Sequence, residues 1–159
     1  MVRLSKLTDY GLVLMGCFAR SRPESLHSAR ELAAASRLPL PTVSKLLKEL
    51  LRCGLLVSHR GTQGGYRLAR QPKEISLAEI IAALEGPVAW TECSTEGSGA
   101  CELETCCAIK QNQQLINQAL KAVLDRLMLS DLIQPIQLTS IQNSTGISVP
   151  AVQLTRRIQ

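Results

Sequence analysis

Four cysteines crowd into a 15-residue stretch: Cys93, Cys101, Cys106 and Cys107. The intervals, seven residues then four (five to Cys107), are not the paired CxxC of a zinc ribbon. Adjacent side chains diverge, so a shared site takes only one of Cys106 and Cys107. Three thiolates are therefore expected: Cys93, Cys101 and Cys107, with Cys106 as the alternative to Cys107. The two histidines, His27 and His59, are remote in sequence. A fourth ligand must come from Glu92, Glu96, Glu102 or Glu104, from solvent, or from another chain. Thiolates select zinc or iron–sulfur clusters among common metals. Three of them on a segment centred on Gly97-Ser-Gly99 suit a cluster with one exchangeable corner. The last is expected at a helix N-terminus, where the backbone dipole lowers a thiol pKa. Structural zinc, a disulfide switch and a metal-free loop remain alternatives at this point. No CxxC, nearby His or acid/base constellation accompanies the thiols, so an enzyme is not expected. Cys17 and Cys53 lie apart and read as small buried hydrophobes on helices.

A second set of residues suits a polyanion. Val43, Leu46, Leu47, Leu50 and Leu51 form an apolar stripe on a helix over 41–52. Pro41, Thr42, Ser44, Lys45 and Lys48 are on its outer side. Ser and Thr bond base edges or phosphates, and Lys reaches guanine or phosphate. No Asn, Gln or Arg occupies the first two turns, so direct base readout is thin and DNA shape carries much of the specificity. Downstream, Arg60 leads into a turn with Gly61, Gly64 and Gly65. Glycine lets backbones approach closely and permits positive φ, and a narrow minor groove attracts Arg. Tyr66 reads as a packing residue at the base of this turn.

The elements that position these groups follow from local signals. Leu7, Gly11, Leu14, Met15 and Phe18 predict a helix over 5–20. Ser28-Ala-Arg-Glu31 and Ser76-Leu-Ala-Glu79 are capping boxes opening helices over 29–36 and from 77 to about 85. Pro41 suits a first helical turn. Residues 55–59 and 66–69 are short strands around the glycine turn. A long helix is expected from about Cys107 to Leu129, with Leu115, Ile116, Ala119, Leu120, Val123, Leu124, Leu127 and Met128 in one stripe. The order helix, helix, turn, helix, hairpin is a winged helix-turn-helix: a mainly α fold with a small β-hairpin plus a long dimerisation helix. The expected divisions are 1–86 DNA-binding, 87–107 cysteine loop, 108–132 dimerisation helix and 133–159 poorly ordered tail.

Composition supports this partition. Of 159 residues only 3% are aromatic, so the core rests on aliphatic side chains. Residues 1–75 hold 13 Lys/Arg against 5 Asp/Glu, while 76–159 hold 5 against 8. A basic front half joined to a mildly acidic back half fits a polyanion reader attached to something else. The longest apolar stretch, Leu12–Ala19, is far short of the ~20 residues a spanning helix needs. No membrane association and a cytoplasmic location are expected.

Several segments together resemble one family. They are Arg3-Leu-Ser-Lys-Leu-Thr-Asp-Tyr10, Leu40-Pro-Thr-Val-Ser-Lys-Leu-Leu-Lys48, the wing Arg60-Gly-Thr-Gln-Gly-Gly-Tyr66 and the three late cysteines. They are similar to the Rrf2 family of bacterial transcription regulators over residues 1–132. Cys106-Cys-Ala-Ile-Lys-Gln-Asn-Gln-Gln-Leu-Ile-Asn117, with Leu84-Glu-Gly-Pro87, most resembles the branch regulating SUF-type iron–sulfur assembly. The resemblance implies a homodimer on double-stranded DNA, with a [2Fe–2S] or [4Fe–4S] cluster on Cys93, Cys101 and Cys107. The cysteine intervals match the nitric oxide-sensing member better than the Isc-operon regulator. The Isc regulator's histidine ligand has Lys110 at its place here, and a Lys⁺ is no ligand. The resemblance also implies Asp9 of the partner subunit as a possible fourth ligand. Ser44 stands where the Isc regulator has a discriminating glutamate, so the resemblance does not carry over the same DNA discrimination. A nitric oxide- or redox-responsive repressor, or a zinc-stabilised protein-binding adaptor, are the alternative functions.

Overall fold

The computed structural model describes residues 4–22, 24–61, 64–89, 91 and 106–134. Cys93, Cys101 and nearly all of the expected tail are outside the described residues. The described chain is mainly helical, with one two-stranded antiparallel hairpin: α1 (Lys6–Arg20), α2 (Ala29–Ser36), α3 (Leu40–Arg52), β1 (Leu56–His59), β2 (Gly65–Leu68), α4 (Leu77–Glu85) and α5 (Lys110–Arg126). Two 3-10 turns, Pro72–Glu74 and Leu129–Ile133, complete it.

Local chemistry sets most of the helix starts. Ser5 Oγ accepts the Thr8 N–H at 3.2 Å and opens α1. At α2 and α4 the capping boxes close in both directions. Ser28 N–H donates to Glu31 (2.7 Å) and Glu31 N–H to Ser28 Oγ (3.2 Å). Ser76 and Glu79 repeat the exchange at 2.9 and 3.2 Å. Each box satisfies amide donors that a helix start otherwise leaves unpaired. Between α2 and α3, Arg37 takes the left-handed conformation (φ 57°, ψ 29°). Pro39 then leads into α3 with Pro41 in its first turn.

The core joins α1 (Leu14, Met15, Phe18), α2 (Leu32), α3 (Val43, Leu46, Leu47, Leu50), the hairpin (Leu55, Leu56, Leu68) and α4 (Ile80), closed by Ile75 and Leu129. The strands pair Leu56 with Leu68, Val57 with Arg67, Ser58 with Tyr66 and His59 with Gly65. Leu56 and Leu68 thus share the buried face, as alternation requires. His27 adds a one-residue third rung: its N–H and carbonyl each bond Tyr66 at 2.9 Å.

Two expectations are corrected. The long helix runs from Lys110 to Arg126, not from Cys107 to Leu129. Its start slips because Cys106-Cys-Ala-Ile109 offers no capping side chain, and N-cap Ile109 makes no such bond. Cys107 therefore stands three residues before the first helical residue, outside the first turn. The helix end is overridden by tertiary bonds. Leu77 N–H donates to the Leu127 carbonyl and Leu129 N–H to the Ile75 carbonyl, both at 2.8 Å. This seam draws Leu127 and Met128 out of the helix, and Leu129 becomes fully buried. Secondly, Cys53 is not a buried hydrophobe. Although it continues the stripe after Leu50, α3 ends at Arg52, which leaves Cys53 exposed at the C-cap with Sγ 3.7 Å from the Ala83 carbonyl. Cys17 is half-buried, and its burial pushes the thiol pKa up against a smaller opposing pull from Arg20.

Candidate nucleic-acid interface and cysteine segment

Helix α3 is held by four side chains, Val43, Leu46, Leu47 and Leu50, with no exposed surface. Its opposite side is fixed in orientation by that anchorage. Pro41, Lys45, Lys48 and Arg52 are exposed there, and Thr42 and Ser44 are half-buried beside them. The cations differ electrostatically. Arg52 is held by Glu49 at 2.7 Å, and this hydrogen bond raises its already high pKa. Lys45, Lys48 and Arg60 form no ion pair among the described residues. No carboxylate among the described residues takes up their donors.

The wing starts where α3 ends, because Leu55 N–H donates to the Leu50 carbonyl at 3.0 Å. Arg60 and Gly61 are exposed at its tip. The three glycines that read alike in sequence have different jobs. Gly61 has φ +123° and open space beside it, so it is needed for its backbone conformation. A Cβ on Gly64 would strike the His59 carbonyl oxygen and come within 2.9 Å of the Gly61 oxygen. A Cβ on Gly65 would be 2.8 Å from the His27 oxygen and 3.0 Å from the His27 nitrogen. Gly64 closes the turn, and Gly65 admits the third rung. Half-buried Tyr66 packs on the core at the wing base.

The wing also carries a contact that sequence reading missed. Arg67 Nε donates to His59 Nε2 at 3.3 Å across the hairpin, a diagonal pair on its outer face. Only the register reveals it.

The cysteine segment leaves α4 at Gly86 and returns at Cys106 and Cys107. Cys106 is exposed and Cys107 half-buried, and both thiols are free of disulfides. The Cys107 carbonyl accepts the Lys110 N–H at 3.3 Å, so Cys107 abuts the start of α5. Two thiols at the entry to a helix fit the donor chemistry of a thiolate-bound cluster. Among the described residues, no three potential ligands gather into a metal site. Asp9 is exposed in the first turn of α1, where the helix dipole favours a carboxylate. The Ser5 N–H donates to the Glu85 carboxylate, tying this end of α1 to the end of α4 just before the cysteine segment departs. That bond, with help from Thr8, holds the Glu85 carboxyl below its ordinary pKa. Asp9 and Val13 border a groove of about 320 Å³ whose far wall includes Leu132 and Ile133.

Comparison with known proteins identifies the frame. A family model described as "Iron-dependent Transcriptional regulator", the Rrf2 model, matches residues 4–135. The chain belongs to the Rrf2 family. Rrf2 proteins are DNA-binding transcriptional regulators, not enzymes, and this chain is one of them. It is 30% identical to the HTH-type transcriptional regulator NsrR of Shouchella clausii, over 83% of this chain and 89% of that one. Its fold superposes on CymR, the global cysteine regulator of B. subtilis, with a TM-score of 0.67 and 31% identity, covering 86% of this chain and all of CymR. IscR of T. potens matches with a TM-score of 0.63 and 29% identity, over 83% and 86% of the respective chains. These Rrf2 structures share the winged helix-turn-helix described above. No helix among the described residues is long and apolar enough to cross a membrane.

Proposed function

We propose that this chain is a homodimeric, cytoplasmic regulator whose operator affinity is set by an iron–sulfur cluster, and that its targets include iron–sulfur assembly genes. In this reading Cys93, Cys101 and Cys107 hold the cluster, with Cys106 as the alternative to Cys107, and Asp9 of the partner subunit supplies a fourth ligand. Lys45 and Lys48 meet the DNA in the major groove beside Thr42 and Ser44, with Pro41 opening the helix. Arg60 enters the minor groove over the turn of Gly61, Gly64 and Gly65. A cluster would supply a redox-sensitive, nitric oxide-reactive centre.

The observation that carries this reading is the path of the chain between thiols and reading helix. Cys107 abuts α5; α5 ends in the seam to Ile75 and Leu77; α4, which begins there, packs on α3. A displacement of the cysteine segment thus reaches the reading helix through bonded backbone and then helix packing, rather than through a loose linker. Helix α5 buries none of its residues and exposes Leu115, Ile116 and Leu120, which supports a second copy as its cover.

Anaerobic purification tests the proposal. The expected result is a coloured protein with iron and sulfide in stoichiometric amounts, whose visible absorbance is lost in the Cys101→Ala variant. A colourless, zinc-loaded protein would overturn it.

A further inference from the structure

A cavity of about 530 Å³ opens at the base of the wing, between the end of α1 and the chain after β2. Its size is within the usual range of small-molecule sites. Phe18, Leu68 and Pro72 give it apolar lining, while Arg22 and Arg67 add polar groups. We propose that it binds a small organic anion, an oxyanion group carried on an apolar body, and that its occupancy alters DNA affinity.

The charges around the cavity are unevenly engaged. Arg70 is fully committed: one terminal nitrogen donates to the Glu74 carbonyl at 2.9 Å and the other to Glu79 at 2.6 Å. Glu74 accepts the Gln71 N–H at 3.0 Å. Arg67 uses only its Nε, on His59, and Arg22 has no side-chain partner among the described residues. Glu24 is the one unengaged acid of the lining. Two guanidinium forks outweigh it, and such forks match carboxylate and phosphate oxygens.

The cavity's position supplies the coupling. Arg22 belongs to the loop after α1 and Arg67 to β2, while His27 is bonded at both backbone groups to Tyr66 of the wing. A ligand held by both arginines fastens the wing to α1 and so fixes Arg60 relative to α3. No cysteine lines this site, so the proposal stands independently of the cluster.

The test uses the full chain, with benzoate, succinate and inorganic phosphate at millimolar concentration and ionic strength matched with chloride. Benzoate is expected to raise the melting temperature saturably and more than phosphate does, because only benzoate fills the apolar wall. The rise should vanish in Arg22→Ala and in Arg67→Lys, which keeps the charge without the fork. Saturating benzoate should change the Kd for a retarded DNA duplex by about 5-fold or more, the range of ordinary allosteric coupling. Absence of a saturable shift with all three probes overturns the proposal, as does a shift that persists in both variants. If the variants weaken DNA binding and its salt dependence with no response to any probe, the arginines serve a DNA phosphate and the small-anion site is refuted.

Discussion

Replacing Gly65 by alanine probes the least obvious claim about the wing, namely that this glycine is required by the protein and not by DNA. The added Cβ would be 2.8, 2.9 and 3.0 Å from the oxygen, carbon and nitrogen of His27. All three are backbone atoms, so no flexible side-chain end can swing aside. The His27 rung must retreat, and its two 2.9 Å bonds to Tyr66 stretch with it. Overpacking of this kind costs about 1–3 kcal/mol, and two weakened backbone bonds add up to about 1 kcal/mol each. The lower unfolded-state entropy of alanine returns about 0.4–1 kcal/mol. The net loss is about 2–3 kcal/mol, which lowers the melting temperature of a chain this size by about 4–12 °C. Urea unfolding of the DNA-free protein measures it directly. Gly16→Ala is the matched control: its Cβ meets nothing within 4 Å inside α1, and a helical glycine gains about 0.5–1 kcal/mol on becoming alanine. If Gly65→Ala unfolds within about 0.5 kcal/mol of the parent while losing DNA affinity, the packing argument is wrong and the glycine acts at the DNA.

Three further outcomes are expected. Leu129→Ala removes a fully buried side chain and should cost about 2–5 kcal/mol in chemical denaturation; a loss under about 1 kcal/mol would show that the seam is not part of the core. Lys45→Ala and Lys48→Ala should each weaken DNA binding across sequences and reduce the slope of log K against log salt by about 1, and a slope unchanged in both would place α3 away from the phosphates. Glu85 has a depressed carboxyl pKa in the fold, chiefly through the Ser5 N–H. Its contribution is therefore present above the unfolded value near 4.5 and is lost as pH falls through the lower folded value. Glu85→Gln should be less stable than the parent at neutral pH, with the gap closing on acidification; a gap that is constant with pH would exclude the ionised carboxylate as its source.

What could be read from sequence divides along physical lines. The starts of α2 and α4 were legible because their capping boxes are complete within four residues. The face of α3 was legible because its stripe is unbroken. The C-terminal end of α5 was not, since an amide and a carbonyl fifty or more residues upstream decide where Leu127 leaves the helix. Cys53 continued the apolar periodicity, yet the helix stopped one residue before it. The wing glycines looked alike because composition does not reveal which neighbour presses on each. His27 was invisible as a strand, for a single rung has no alternation to detect. For the candidate site, the exposed lysines of α3 follow from the stripe, whereas the Arg67–His59 contact required the register.

The seam at Ile75, Leu77 and Leu129 also bears on how the chain is made. A ribosome releases residues in order, and the reading helix and wing emerge long before Leu129 does. Until then Ile75 lacks its backbone donor, Leu77 lacks its acceptor, and the hydrophobic centre has an open wall. Completion of the DNA-reading half therefore waits for the far side of α5. A nascent chain stalled before that point would hold a reading helix whose support is unfinished, which delays competent DNA binding until the cysteine segment has been synthesised.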